Sequence, residues 1–359
     1  MKNILKDLVM LDGIPGNERQ VREYMTKEMN GLSELTYDNL GSVIGKKVGN
    51  PDGPRIMVAG HMDEVGFMVT TITDEGYVKF TPAGGWWSQV MLAQQMVITT
   101  GKGEEIRAVI GAKAPHILTV EERAKPVDMK KMYLDLGVDT KEEAVALGIK
   151  PGDMITPFIE YTELSNKKYL LGKAWDNRVG CAAVIDVLNN IQDKKHDNVY
   201  YGVGTVMEEV GLRGAKTSAN FIQPDIGISL DTTIAFDFPG GDKNTQLGKG
   251  VGIMFKDGSM IGHKGLRDFV VSVCEKEEIP FQLTYLESGG TDGGAIHMTG
   301  NGAPSIALCL PVRYLHSHTS IVHKDDYDAM VKLVTILIQK LDRETVNSCL
   351  LYTSPSPRD

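Results

Sequence analysis

Several short apolar runs of the chain end on acidic residues or histidines, and this recurrence restricts the possible fold more than any other feature. The runs read IMVAG, VGTVM, IGISL and IALCLPVRYL, and such runs predict buried strands. The carboxyl ends of parallel strands converge on the ligand crevice of an open α/β sheet. We therefore expect one polar edge, formed by the residues that follow these runs: His61, Asp63, Glu208, Glu209, Asp231 and His316.

Stretches with helical periodicity alternate with these strands, as in α/β proteins. They cover residues 3–11, 18–29, 179–191, 263–277 and 324–341, and Asn17 is the expected N-cap of the second helix. The chain has 359 residues, which is enough for two domains.

The pattern changes between residues 67 and 163. Short β-like runs such as MVTTIT, YVKF, QQMVITT and IRAVIGA are separated by glycines, prolines and charged turns, and a helix is predicted only at 141–147. We therefore predict a small all-β domain, residues 67–163, inserted into a discontinuous catalytic α/β domain of residues 1–66 and 164–348. Trp86 and Trp87 in the insert suit either the local core or a subunit contact.

Composition excludes several functional classes. The formal net charge of -9 argues against nucleic acid as a partner, and no apolar run reaches membrane-spanning length. The N-terminal stretch has charges within its apolar part and lacks a signal-peptide cleavage pattern. Four dispersed cysteines without a CxxC pair indicate a reducing, cytoplasmic location and argue against a thiolate metal site.

Residues 349–359 read CLLYTSPSPRD and break the preceding pattern. One frame of a common transposon-based sequencing adapter would encode the same peptide. We expect a non-native tail that hides the native sequence beyond about residue 348, with a flexible polar tail as the alternative. In both cases these residues are excluded from the predicted fold.

A metal centre is the chemistry that the polar edge favours. The side chains of adjacent residues point in different directions, so Glu208 can accept and donate a proton while Glu209 binds a metal. Asp176 precedes a predicted helix, where its loop can lean over the same crevice. Carboxylates and imidazoles together suit two divalent ions with one carboxylate shared. Each residue alone has an ordinary structural role, such as a helix N-cap for Asp176, and only their common location favours a site.

The motifs GHMDEVGF, KAWDNRVG, MEEVGLRGA, SLDTT, SGGTDGGAIH and RYLHSH resemble those of the glutamyl-aminopeptidase and TET-type family of di-zinc metallopeptidases, family forty-two. The resemblance extends to about residue 346. It implies a zinc-peptidase α/β domain with a mixed central sheet and an inserted PDZ-like or barrel-like β domain. It also implies peptide substrates, dimers formed through the insert, and a tetrahedral dodecamer built from those dimers.

The resemblance implies a role for each residue of the edge. His61 and Asp231 are expected to be the terminal ligands of one metal, Glu209 and His316 those of the other, and Asp176 the bridge. Zinc is the expected metal, and cobalt or manganese would also suit these ligands.

The resemblance also implies how the reaction is catalysed. Asp63 is expected to orient the imidazole of His61 through its second nitrogen. Glu208 is expected to take a proton from a water that bridges the metals and to return it to the leaving amine. Binding of the free substrate amine by one metal would explain removal of single N-terminal residues.

The preferred N-terminal residue is left open. The family name suggests Glu or Asp, which requires a basic residue in the pocket. On the strand GIMFKD, Met254 stands at the position where we expect that basic residue. Lys256 would share its face and substitute for it, whereas Met254 would provide an apolar wall and a neutral or broad preference.

Three other functions compete with this interpretation. A glycoside hydrolase needs two carboxylates about 5–9 Å apart, which adjacent Glu208 and Glu209 do not provide, and it leaves the histidines without a role. A different di-zinc exohydrolase, such as a carboxypeptidase or deacylase, fits the MEEVG and RYLHSH motifs less well. A shell-forming binding protein with a vestigial site would have lost part of the ligand set.

Overall fold

The structure is a computed structural model that describes residues 3–351. Over this range the strands are β1 (Glu34–Tyr37), β2 (Val43–Val48), β3 (Arg55–His61), β4 (Gly66–Ile72), β5 (Val78–Ala83), β6 (Gln95–Thr99), β7 (Glu105–Gly111), β8 (Tyr133–Asp135), β9 (Met154–Pro157), β10 (Thr162–Glu163), β11 (Tyr169–Gly172), β12 (Val199–Thr205), β13 (Ile226–Ile234), β14 (Val251–Lys256), β15 (Phe281–Tyr285), β16 (Ser305–Val312) and β17 (Ser320–His323). The α-helices are α1 (Ile4–Val9), α2 (Arg19–Met29), α3 (Val120–Arg123), α4 (Lys141–Ala146), α5 (Trp175–Asn190), α6 (Arg213–Ile222), α7 (Lys264–Lys276), α8 (Gly293–Ile296), α9 (Lys324–Lys340) and α10 (Arg343–Leu351).

An eight-stranded mixed sheet lies at the centre of the α/β part, in the order β1-β2-β12-β3-β13-β16-β14-β15. The strands β12, β3, β13 and β16 are neighbours and run parallel. Antiparallel pairs lie on both sides of them, β1 with β2, β2 with β12, and β14 with β16. The predicted mixed central sheet is confirmed, and the four parallel strands end at one edge.

Helices cover both faces of this sheet, which explains why its inner strands read as continuous apolar runs. In β3, Ile56 and Val58 pack in the large core that contains α5, whereas Met57 and Ala59 pack on the opposite face with residues of α6 and α8. Alternate side chains of a strand point to opposite faces, so each face receives its own apolar set.

The segment that follows β3 forms a closed barrel with strand order β4-β5-β8-β7-β6-β9. Closure pairs every strand on both sides and leaves no exposed edge. Trp86 stacks on Phe67 of its core, with ring centroids 4.8 Å apart, whereas Trp87 is 60% exposed. The predicted all-β architecture is confirmed. The boundaries at 67 and 163 stay a prediction, since the barrel strands span residues 66–157 and β10 pairs with β11 in a separate small sheet with β17.

Three local predictions require correction. Helix α2 begins at Arg19, so its N-cap is Glu18 and not Asn17, and the Glu18 carboxylate makes no bond to the amides of its own helix. Strand β13 does not end at Leu230 but continues to Ile234, because it stays paired with β16 through that residue. Asp231 therefore lies within the strand.

The third correction concerns the C-terminal part of the chain. Helix α10 runs from Arg343 to Leu351, and Cys349 is buried, so residues 349–351 are part of the fold from which the prediction excluded them. The non-native origin of residues 349–359 stays a prediction. The remainder of that tail, residues 352–359, lies outside the described residues. Within residues 3–351, no helix has the length and apolar character needed to cross a membrane.

Candidate metal centre

The residues predicted for the metal site come from separate elements and meet at the carboxyl edge of the parallel strands. They are His61 at the end of β3, Asp176 in the first turn of α5, Glu208 and Glu209 after β12, Asp231 within β13, and His316 after β16. The convergence follows from the parallel order of β12, β3, β13 and β16, whose ends lie side by side.

Asp176 lies between the two histidines. Its Oδ1 is 3.1 Å from Nε2 of His61, and its Oδ2 is 3.2 Å from Nε2 of His316. One carboxylate thus presents a different oxygen to each imidazole, which is the arrangement expected of a shared ligand.

Two groups of potential ligands share Asp176. In one group His61, Asp176 and Asp231 each place a ligand atom within 4.8 Å of the others, and in the second Asp176, Glu209 and His316 do the same. Glu208 lies outside these two groups but forms a third group with His61 and Glu209, and its Oε2 is 3.6 Å from Nε2 of His61. The structure thus brings together all five predicted ligands in the predicted pairs.

The donor set fits divalent cations. Among the described residues, Oε1 of Glu209 and Oδ2 of Asp231 are buried acceptors without a hydrogen-bond partner. A buried acceptor without a donor is costly, so each calls for a ligand that the protein itself does not supply. One of these oxygens belongs to each group, and carboxylate–imidazole sets suit zinc, cobalt and manganese.

Burial and mutual repulsion raise the pKa values of three carboxylates here. Burial raises the pKa of Glu209 to about 8, and the negative charge of Asp176 adds to the effect. Burial likewise raises the pKa of Glu208 and that of Asp231 well above the usual range. In the metal-free protein, protons therefore occupy part of this acidic cluster.

The pKa values of the two histidines and of Asp176 shift so that the charged form of each group is favoured. Burial opposes protonation of His61, but the carboxylates of Glu208 and Asp176 outweigh it and raise the pKa of this histidine. Burial also opposes protonation of His316, and hydrogen bonding to Asp176 nevertheless raises its pKa to about 9. Burial opposes ionisation of Asp176, yet hydrogen bonds with His316 and His61 hold its pKa below the usual value.

Asp63 acts mainly on the neighbouring turn and less directly on His61. The atom of Asp63 that hydrogen-bonds Nδ1 of His61, at 2.9 Å, is its backbone carbonyl oxygen, and the nearest carboxylate oxygen is 3.5 Å away. The carboxylate instead accepts bonds from the backbone amides of Glu208 and Glu209, each at 3.1 Å. Asp63 thus contacts both the imidazole and the turn that carries the adjacent glutamates.

A loop of the barrel closes over the site, which the sequence did not indicate. A Cβ atom at Gly84 would lie 3.3 Å from Cβ of Glu209, and one at Gly85 would lie 3.2 Å from Nδ1 of His316. Gly84 also has a φ of 90°, a conformation that favours glycine. The glycine pair therefore permits a close approach of the insert to the catalytic part.

Buried ion pairs anchor the chain just before Asp176. Lys173 contacts Asp12 and also Glu64, the latter at 2.8 Å, and Arg178 reaches the same Glu64 at 3.2 Å. Lys173 is 4% exposed, so its positive charge is buried and paired with carboxylates of the protein itself. No local sequence pattern indicates this network, since its members lie far apart along the chain.

The centre opens into a cavity of about 890 Å³. Its ionisable lining residues are Asp176, Glu208, Glu209, Asp231, Glu287 and His316. Among the described residues, no lysine or arginine lines it. Leu212, Ile234 and Leu286 add apolar surface.

The two residues predicted to shape specificity do not line this cavity. Met254 is 1% exposed and packs with Met260, Ala307 and Cys309 beneath the surface. Lys256 is exposed, and a register shift between Met254 and Lys256 breaks the simple alternation on which their common face depended. Their assignment to the substrate pocket is therefore corrected.

Comparison with known proteins gives a consistent result. A family model described as M42 glutamyl aminopeptidase matches residues 41–333. A glutamyl aminopeptidase of Lactococcus lactis subsp. cremoris is 34% identical over 95% of this chain and 97% of its own length. A lysyl aminopeptidase of Pyrococcus furiosus is 30% identical over 94% of this chain and 96% of its own length. The two relatives are thus named for oppositely charged N-terminal residues.

Solved structures share the whole architecture. A TET aminopeptidase from a marine-sediment Thaumarchaeota archaeon superposes with a TM-score of 0.94 at 41% identity, covering 96% of this chain and 98% of its own. The TET1 peptidase of Pyrococcus horikoshii, described as able to assemble into a tetrahedron or a large octahedral shell, gives a TM-score of 0.85 at 31% identity. That match covers 94% of this chain and 99% of the peptidase.

Proposed function

The chain belongs to the M42 glutamyl aminopeptidase family and is an aminopeptidase, and we propose that it works through two divalent ions that share Asp176. The observation that carries the proposal is the placement of the Asp176 carboxylate between two histidines, each in a group with a further carboxylate. His61 and Asp231 are the terminal ligands for one ion, and Glu209 and His316 those for the other.

Such ions, when bound, supply Lewis acidity that makes water more acidic and polarises the scissile carbonyl. Zinc is the expected metal, with cobalt or manganese as alternatives. The cluster fits them because its two unpartnered buried oxygens, Oε1 of Glu209 and Oδ2 of Asp231, belong one to each group.

Glu208 is the residue that moves protons. Its side chain lines the cavity and is nearly buried, and although it forms a third group with His61 and Glu209, it lies outside both groups that share Asp176. It accepts a proton from the attacking water and returns it to the amine of the departing peptide. The backbone amide of Glu208 donates to Oδ1 of Asp63 at 3.1 Å, which fixes the backbone that carries this carboxylate.

The Glu208→Gln variant tests this assignment. It should keep its metal and its melting temperature while turnover of an aminoacyl-anilide falls by roughly a hundredfold or more, as loss of a general base does. Glu275→Gln, the same change at an exposed glutamate of α7, serves as the control and should leave turnover unchanged. Near-normal turnover by Glu208→Gln would exclude Glu208 as the base.

We further propose that neutral or basic N-terminal residues are preferred over Glu and Asp. An acidic side chain needs a basic partner in the pocket. Arg313 is committed to Asp237 by two bonds of 2.8 and 2.7 Å, and Lys173 is buried in its own ion pairs. The cavity instead presents Glu287. A preference for Glu, as in the Lactococcus lactis relative, is the alternative.

Rates with Lys-, Leu- and Glu-anilides distinguish these preferences. We expect kcat/KM to be lowest for Glu. In Glu287→Gln the Lys/Leu ratio should fall by roughly two- to fivefold, since an exposed ion pair contributes no more than about 1 kcal/mol. Glu275→Gln again provides the matched control. A parent enzyme that is fastest on Glu would overturn the proposed preference, and an unchanged Lys/Leu ratio would exclude Glu287.

The proposal extends to the assembly and the location of the protein. We propose a dimer formed through the insert, residues 67–163, and a tetrahedral dodecamer built from dimers. The barrel exposes Trp87, Ile117 and Val120, with 60%, 66% and 75% of their surface accessible, and the TET1 relative is described as forming closed shells. The four cysteines are free, which supports a reducing cytoplasmic location. Mass in solution tests the assembly.

A further inference from the structure

Three consecutive backbone amides in the turn after β12 donate hydrogen bonds to carboxylates. The amides of Glu208 and Glu209 donate to Oδ1 and Oδ2 of Asp63, at 3.1 Å each. The amide of Met207 donates to Oε1 of Glu18 at 3.0 Å. Glu18 is 6% exposed and lies at the start of α2, a separate element. The turn is therefore held from two sides.

The backbone at Met207 needs such support. Its φ is 55°, in the left-handed region that residues other than glycine rarely adopt. A conformation of this kind persists only where its surroundings fix it. The oxygen of Glu18 that accepts the Met207 amide also accepts the amide of Gly16 at 2.8 Å, which ties the turn to the loop before α2.

We propose that Glu18 is a positioning residue that sets the direction of the Glu208 carboxylate through the Met207 amide. The inference rests on the proposed role of Glu208 as general base. What matters is an acceptor oxygen at the right distance, because both partners of this oxygen are backbone amides. The negative charge of Glu18 is not required.

Three substitutions at Glu18 distinguish the effect of its acceptor oxygen from the effect of its negative charge. Glu18→Gln keeps an acceptor at the same reach. Glu18→Met keeps similar volume, but its thioether sulfur is only a weak acceptor for an amide. Glu18→Asp keeps a carboxylate suited to the start of a helix, but its side chain is one methylene too short to reach Met207.

We expect Glu18→Gln to retain kcat within about threefold of the parent at saturating metal. Glu18→Met and Glu18→Asp should lose roughly ten- to a hundredfold in kcat with KM changed about twofold or less, since a misplaced catalytic group costs turnover and not binding. In the metal-free protein, hydrogen exchange at residues 207–209 should be faster in Glu18→Met than in the parent.

Asp326 offers a matched control for a purely structural role. It is 1% exposed and accepts the amides of Gly248 and Gly250, each at 2.7 Å, and among the described residues it is not part of the cavity lining. Asp326→Leu should lower the melting temperature about as much as Glu18→Met but leave kcat unchanged. Equal kcat losses in Asp326→Leu and Glu18→Met would show that Glu18 only stabilises the fold, and would overturn the proposal.

The remaining outcomes are also decisive. If Glu18→Met does not fold, the comparison of Glu18→Asp with Glu18→Gln decides, and parent-like kcat in Glu18→Asp would overturn the proposal. Unchanged hydrogen exchange in Glu18→Met would do the same. Failure of the underlying function is recognised separately, since Glu208→Gln would then remain active whatever the Glu18 variants do.

Discussion

Metal binding at the Glu209 side of the centre should strengthen as the pH rises. In the metal-free protein burial raises the pKa of Glu209 to about 8, so at pH 6 to 7 this carboxyl group is mostly protonated. A ligand must be ionised to bind a cation, so metal displaces this proton. His316 in the same group also has a raised pKa, of about 9, and gives up a proton in the same way.

The expected change of metal affinity with pH can be calculated for the Glu209 proton alone. With a pKa of about 8, each pH unit below 8 costs about 1.4 kcal/mol, or tenfold in affinity, for releasing its proton. Affinity for Co²⁺ or Mn²⁺ should therefore rise about tenfold between pH 6.5 and 7.5. Release of the proton of His316, whose pKa of about 9 lies further above this pH range, can add up to about a further tenfold in the same direction. The two groups titrate together, so the slope belongs to the pair.

The stability of the metal-free protein should fall as the pH rises, which is opposite to the trend in metal affinity. A carboxyl group whose pKa is raised by folding favours the folded state below its unfolded value of about 4.5, and this contribution is lost as the pH rises towards 8. The metal-free protein should thus lose melting temperature between pH 5 and 8, whereas saturating metal should abolish the loss.

Titration calorimetry at several pH values, in buffers of different ionisation enthalpy, measures both the affinity and the number of protons released. Glu209→Gln, which lacks the titrating group but keeps its shape, provides the control and should show a shallower pH dependence with weaker binding. An affinity for the parent protein that stays constant between pH 6 and 8, with no proton release, would refute the reasoning.

Three further predictions test the ligands, the insert and the corrected pocket. Asp176→Ala should weaken both ions whereas His316→Ala should release one; two full equivalents of metal in Asp176→Ala would contradict the bridging role. Deletion of residues 67–163 with a short linker should give a monomeric or aggregating protein by light scattering, and an assembly that keeps its subunit number would exclude pairing through the insert. Met254→Arg should lower the melting temperature by several degrees, because it buries an unpaired charge, without raising the Glu/Leu rate ratio; a raised ratio would restore the original pocket assignment.

The convergence of the proposed ligands could be predicted because its signal is local. Each of these residues except Asp176, which precedes a predicted helix, follows or ends a short apolar run, and parallel strands bring such ends together whatever the loops between them do. Asp231 shows the limit of that signal. The run IGISL predicts a strand but not its end, since pairing with β16 carries the strand on to Ile234.

Other parts of the site depend on pairings that no local pattern contains. Glu18 reads as the ordinary start of a helix, and its partner Met207 lies 189 residues further along the chain. The approach of Gly84 and Gly85 to the centre depends on how the barrel sits against the sheet. The common face expected for Met254 and Lys256 fails for a similar reason, because the register shift between them in β14 cannot be seen in the sequence.

The balance of charge favours two ions over one. Asp176, Glu208, Glu209 and Asp231 carry four negative charges when ionised, one for each carboxylate, and all four lie at the same cavity. Two divalent ions offset these charges more fully than a single ion does, and unbalanced negative charge in a largely buried site is costly. Without ions, raised pKa values keep protons on Glu208, Glu209 and Asp231, so protons partly replace the missing cations. Loss of an ion should therefore be accompanied by proton uptake, which links metal content to pH throughout the centre.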